Sequence, residues 1–265
     1  MTLPADGSTH DGSQHGPDDG ALDGTGTGVV EQEAPVALRA PDAPPAATAV
    51  FGDRLPLAER FAAVLADTGV SHGLIGPREV PILWERHILN CAVAQDSFPD
   101  HAEVVDVGSG AGLPGLALAI VRPDLRLHLV EPMLRRTTWL ADTIEALGLD
   151  NCTVHRGRAE EFHGVLSLPW ATARAVARID KLARWTFPLL SEGGTLVALK
   201  GSSAQEELDA AAPLLRRLGM TGAAVRSHGT ELLEVPTITL ELTVGAGALR
   251  RGKQAKPSKR SGRRS

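Results

Sequence analysis

Residues 105–115 read Val105-Asp106-Val107-Gly108-Ser109-Gly110-Ala111-Gly112-Leu113-Pro114-Gly115, and most of the architecture follows from them. The β-branched run Glu103–Val107 predicts a strand. The glycines after it break any regular element, and Leu116–Val121 then predicts a helix. Pro114 falls near the first turn of that helix, where a missing N–H leaves no bond unmade. Glycines in such a turn allow positive φ and close approach of the backbone to a ligand. In a doubly wound sheet this turn lies at the carboxyl edge of the strands, where ligands bind.

The pattern continues downstream. Strands are expected at Arg126–Val130, Thr153–His155, Thr172–Arg174 and Thr195–Leu199, alternating with helices at Leu134–Leu147, Ile179–Phe187 and Gln205–Leu218. Such alternation predicts a mostly parallel sheet with helices on both faces. Two last runs, Ala223–Val225 and Ile238–Val244, with a turn near Gly229, predict an antiparallel hairpin at the edge. Upstream, Leu57, Phe61, Val64 and Leu65 form a helical stripe ended by Gly69. A second helix over Val80–Val93 turns Leu83, Trp84, Ile88 and Val93 inward.

The 265 residues carry a formal charge of −5, but the charges are sorted. Residues 1–53 hold nine acids and one base, Arg39, whereas residues 250–265 hold eight bases and no acid. Both ends lack apolar periodicity and are expected to be disordered tails around one domain, 54–249. Two cysteines, Cys91 and Cys152, exclude a disulfide framework and an all-cysteine zinc site. No secretory signal and no membrane span are expected, so the location is read as cytoplasmic. With no Tyr, five Phe and four Trp, stacking of bases on aromatic platforms is a poor candidate for the main binding device.

Two ligands fit the glycine turn. Gly110-x-Gly112-x-x-Gly115 matches the dinucleotide pattern, whereas Asp106-x-Gly108-x-Gly110-x-Gly112 matches that of S-adenosylmethionine-dependent methyltransferases. A carboxylate at position 106 would repel a pyrophosphate and suit a cationic cofactor. Glu131, ending the next strand, would accept hydrogen bonds from ribose hydroxyls in either case.

The wider sequence resembles one family, the bacterial small-subunit ribosomal RNA (guanine-N7) methyltransferase G, also called glucose-inhibited division protein B. The resemblance rests on Arg86-His87-Ile88, the stretch Asp106–Gly115, Arg122-Pro123-Asp124, Glu131 with Arg135-Arg136, and Leu147-Gly148-Leu149. It continues through Arg158-Ala159-Glu160, Arg174-Ala175-Val176 and Leu199-Lys200-Gly201. It implies an α/β class I (Rossmann-like) methyltransferase fold, a doubly wound, mostly parallel seven-stranded sheet with an N-terminal helical extension. It also implies S-adenosyl-L-methionine as cofactor and one guanine N7, in the decoding-region hairpin of small-subunit ribosomal RNA, as acceptor. The partner is that RNA or the assembling small subunit, engaged by a monomer with no membrane partner. For the cofactor it implies the backbone around Gly108 and Leu113, with Gly110 between them, against the methionine end, Glu131 on the ribose and Ala159 and Glu160 beside the adenine. Arg174 falls where cofactor and acceptor meet, and Arg86, His87 and Lys200 near the RNA. The chain departs from the family at Gly73–Pro77, where an Asn-Leu-Thr motif is usual, and at Asn90-Cys91, where Asp-Ser is usual.

Guanine N7 carries a lone pair and no proton, so methylating it needs no general base. The residues agree by omission: there is no Asn-Pro-Pro-aromatic motif for amine methylation, and neither cysteine follows a proline as a C5-methylating nucleophile would. No catalytic acid, base, nucleophile or metal ligand is assigned. Eight bases at the carboxyl end would add sequence-independent phosphate contact to a body that is itself net negative.

Overall fold

The computed structural model describes residues 38–246. Seven strands form one sheet, β1 Glu103–Val107, β2 Arg126–Glu131, β3 Cys152–Arg156, β4 Leu168–Arg174, β5 Leu190–Lys200, β6 Met220–His228 and β7 Thr237–Val244. Their spatial order is β3-β2-β1-β4-β5-β7-β6. The first five are parallel, and β7 runs antiparallel between β5 and β6. The final pair is therefore the expected edge hairpin, with its second strand inserted inward. The order reverses between β1 and β4, opening a crevice at their carboxyl ends.

Successive residues of each strand feed opposite cores. Val104, Leu127, Leu129 and Val197 face one, and Val105, Val130, Leu196 and Ala198 face the other. Against the first pack α1 Pro45–Phe51, α2 Leu55–Val64, the short α3 Asn90–Ala92, α4 Gly115–Val121 and α5 Leu134–Leu147. Against the second pack α6 Ile179–Thr186 and α7 Ala204–Leu218. Helix α5 ends where expected because Gly148 takes φ 67°. Its N–H then bonds the Glu145 carbonyl, and that of Leu149 bonds Ile144.

Four expectations change. The acidic segment 1–53 is not a tail throughout, since α1 lies inside it. Pro45 opens that helix, Ala47 and Phe51 are buried, and the Phe51 ring meets Trp84 edge-on at 6.4 Å. Two apolar side chains and a hydrogen bond of 3.0 Å from Trp84 Nε1 to the Pro41 carbonyl anchor a stretch whose composition reads as polar. The rest of that segment, 1–37, and the basic segment 250–265 lie outside the described residues. Gly69 does not end its helix, which continues through a π-turn, Leu65–Gly69, and the chain reverses at Gly73. The second helix is not uniform: Pro77–Ile82 is 3-10, Trp84–Leu89 is π-helical and Val93–Ser97 is 3-10. Pro81 removes an N–H inside the first of these turns, and Leu83, Trp84, Ile88 and Val93 stay buried through the changes of winding. Finally, β4, β5 and β6 are longer than expected, because ladder partners extend them past their apolar cores.

Candidate active site

The parallel register brings Val107, Glu131, Arg156, Arg174 and Lys200 to one edge of the sheet. Two cavities open there. One, of about 380 Å³, is lined by Gly108, Glu131, Met133, Ala159, Glu160 and Arg174, among others. The other, of about 600 Å³, is lined by Glu79, Arg86, His87, Asn90, Arg174 and Lys200, among others. Their walls meet in the shared segment Arg174-Ala175-Val176.

In the smaller cavity Glu131 is 2% exposed. Its Oε2 accepts the Gly110 N–H at 3.1 Å, its Oε1 accepts the Met133 N–H at 3.0 Å, and Arg136 lies 3.7 Å away. The acid at the end of β2 thus braces the glycine turn and the loop into α5 at once. Gly108 has φ 77°, and a Cβ there would lie 2.9 Å from Val176, so only glycine leaves this wall open. Gly110 does not line the cavity itself and reaches it through Glu131. The side chain of Leu113 turns into the core beneath the turn, so the expected contact with the methionine end would fall to its backbone.

Asp106 is also placed differently from expectation. It is fully buried, and its Oδ2 accepts the Gly115 N–H at 3.1 Å, tying strand to helix. Burial pushes its carboxyl up to about 7, and Oδ1 has no partner among the described residues. The acid that faces the cavity is Glu131. The wall also includes Met133, 46% exposed, and Trp185, neither signalled by any motif; a long apolar residue two places after Glu131 was the available hint.

In the larger cavity the expected cations are joined by one acid that sequence reading missed. Arg174 Nη1 donates to the Arg86 carbonyl at 2.9 Å, and Nη2 donates to Nδ1 of His87. His87 Nε2 then donates to Glu79 Oε2 at 2.8 Å. Burial and Arg174 hold the His87 imidazole below its ordinary value, which leaves Nδ1 free to accept. The hydrogen bond from His87 holds Glu79 low and ionised. Lys200 lines this cavity, but its Nζ donates to the Ala177 carbonyl and to Glu207, each at 3.0 Å, so its charge is already paired. Burial raises the Cys91 thiol to about 11 and the Cys152 thiol to about 12, which fits the reading of both as packing residues.

The usual dinucleotide-binding sheet has six strands in the order 3-2-1-4-5-6, whereas here a seventh strand, β7, is inserted antiparallel between β5 and β6. With a cavity at the reversal, an acid at the end of β2 and a glycine wall that only a bare backbone leaves open, the chain is a class I S-adenosylmethionine-dependent methyltransferase. Sequence comparison then specifies the family. The profile described as rRNA small subunit methyltransferase G matches residues 54–232, and the chain belongs to that family. It is 51% identical over 214 residues to the ribosomal RNA small subunit methyltransferase G of Thermobifida fusca, covering 81% of this chain and 90% of that protein. It is 49% identical over 230 residues to the protein of the same name from Streptomyces avermitilis, covering 86% of this chain and 97% of that one. Among solved structures it is similar to a SAM-dependent methyltransferase from Aquifex aeolicus, with a TM-score of 0.48 and 14% identity over 65% of this chain and 98% of that one.

Proposed function

We propose that the chain methylates N7 of a guanine in the decoding-region hairpin of small-subunit ribosomal RNA, with the smaller cavity as cofactor site and the larger as acceptor site. The observation that carries this is the junction of the two cavities at Arg174–Val176. The smaller cavity fits an adenosyl cofactor: a buried carboxylate for ribose hydroxyls, Met133 and Ala159 as apolar walls, and a glycine where any side chain would collide. Glu131 would hold the ribose, Ala159 and Glu160 would flank the adenine, and Gly108 would lie against the methionine end. When bound, S-adenosylmethionine supplies an electrophilic methyl group on a sulfonium, and its transfer to a neutral purine nitrogen moves one positive charge from sulfur to the base.

The chain's own task is positioning. The acceptor nitrogen loses no proton, so no side chain need remove one, and the neutral His87 and the unreactive Cys91 suit that role. Arg174 is pinned at both terminal nitrogens and borders both cavities, so it would align acceptor with cofactor. Arg86, 66% exposed in its side chain, would meet phosphate at the mouth. The eight bases of 250–265 would tether the RNA, so removing residues 249–265 should weaken binding and flatten its salt dependence. We place the protein in the cytoplasm as a monomer acting on the RNA or the assembling subunit; among the described residues, no helix is long and apolar enough to cross a membrane.

The test is transfer of labelled methyl to small subunits that lack this modification, followed by mapping of the modified base. Label at a guanine N7 is expected; label at another atom or base, or no label, overturns the reading.

A further inference from the structure

Glu79 is the only acid among the described residues that line the larger cavity. It lies on the part of the wall that the cofactor cavity does not share. Its Oε2 accepts from His87 Nε2 at 2.8 Å and lies 3.5 Å from Arg86 Nε, which holds that one oxygen in place. Its Oε1 has no hydrogen-bond partner among the described residues, and the side chain is 33% exposed. A carboxylate offers two oxygens with about four lone-pair directions, so one oxygen and part of the other remain available.

We propose that Glu79 reads the acceptor base, accepting hydrogen bonds from N1–H and from the exocyclic N2 amino group of guanine. This rests on the reading of the larger cavity as the acceptor site for N7 methylation. In a purine, N7 and the N1–N2 edge lie at opposite ends of the base. A guanine that presents N7 at the Arg174–Val176 junction turns its other edge away from the cofactor, toward the wall where Glu79 lies. Adenine would set the N1 lone pair against the carboxylate, a repulsive element that adds discrimination to the attractive one.

The same contact would assist the reaction. The N7 lone pair forms the new N–C bond, no proton leaves, and the base becomes cationic. Its N1–H and N2–H groups become stronger donors as that charge develops. A carboxylate facing them binds the transition state better than the ground state, which raises kcat as well as affinity. Arg86 and Arg174 lie on the same wall, but both are tied to protein acceptors or to the mouth, and neither offers the acceptor that this edge requires.

The experiment uses the full chain and small subunits reconstituted with ribosomal RNA carrying either guanine or inosine, which lacks the N2 amino group, at the target position. Affinity for each subunit, and kcat and KM separately for methyl transfer, are measured for wild type, Glu79→Gln and Glu79→Ala. Wild type should prefer guanine over inosine by roughly tenfold, the scale of one good paired base contact. Both variants should lose most of that preference, with the larger share of the loss in kcat. Equal use of guanine and inosine by wild type would overturn the proposal without any variant. Variants that lose activity but keep the full guanine preference would also overturn it, and would leave Glu79 as a residue that merely positions His87. Failure of wild type to methylate guanine subunits would instead remove the functional reading, and this proposal with it.

Discussion

Arg174, at the end of β4, donates through Nη2 to Nδ1 of His87, 87 residues earlier in the chain. Its other terminal nitrogen bonds the Arg86 carbonyl, so the planar fork is held at two points against the N-terminal helices. A lysine keeps the charge but cannot make both bonds in one plane. Arg174→Lys should lower kcat/KM for small-subunit methylation by about ten- to a hundredfold, the equivalent of roughly 1.4–2.7 kcal/mol. Thermal unfolding should shift by only a few degrees. Kinetics on unmodified subunits, with calorimetry for stability, checks this; an unchanged kcat/KM would show that the two-point hold is dispensable.

The His87–Arg174 bond also sets a pH dependence. The folded pKa of His87 lies below its ordinary 6.5, mainly through burial and the Arg174 charge. The unfolded chain therefore binds this proton more readily than the folded one. The stabilisation is fully present above pH 6.5 and is lost as the pH falls through the lower folded pKa. Protonation would also point an N–H at Arg174 and break the bond. The rate should be level from pH 7 to 8 and decline on an acid limb with its midpoint below 6.5, and His87→Gln should lack that limb. A pH–rate profile with a midpoint above 6.5 would contradict this origin.

Glu131 braces two backbone donors from beneath the smaller cavity. Glu131→Ala leaves the N–H groups of Gly110 and Met133 without their acceptor, at a cost of about 1–3 kcal/mol for each that water does not reach. Melting should fall by several degrees, and the Kd for S-adenosylhomocysteine, read by titration calorimetry, should rise at least tenfold. Glu131→Gln keeps one acceptor oxygen and should fall between the two. Wild-type affinity in the alanine variant would remove Glu131 from the cofactor site.

Gly115 is required by space rather than by backbone angle. A Cβ there would lie 2.4 Å from Leu129 Cδ2 and 2.6 Å from Asp106 Oδ2, both in the packed interior. Gly115→Ala should cost about 1–3 kcal/mol in chemical denaturation, as overpacking does. It should also disturb the Asp106 hydrogen bond that ties β1 to α4.

Lys200 separates a structural from an RNA-binding role. Its ammonium is 3.0 Å from Glu207, and the two side chains are 12% and 16% exposed. Lys200→Ala leaves Glu207 with less compensation and should lower the melting temperature by several degrees. The affinity for small subunits should fall less than threefold, and a larger loss would return Lys200 to the RNA.

The alternating runs, the glycine turn and the acid at position 131 were legible because they depend on residue type and spacing along one chain. Hydrophobic period alone places β1 at Glu103–Val107 and α5 at Leu134–Leu147, as the structure has them. The motifs also bring the cofactor reading with them. Other features rest on which way side chains turn once the elements pack together, which no local pattern encodes. The docking of α1 is one, since the buried Ala47 and Phe51 and the hydrogen bond from Trp84 to Pro41 hold part of a segment whose composition is acidic and polar. The inward turn of Asp106 and Leu113 is another, because a glycine-rich turn does not reveal which of its flanking side chains point down into the core. Glu79 is the clearest case. As a lone acid between two prolines it carries no motif, and only the fold sets it against His87 and, through that ring, against Arg174.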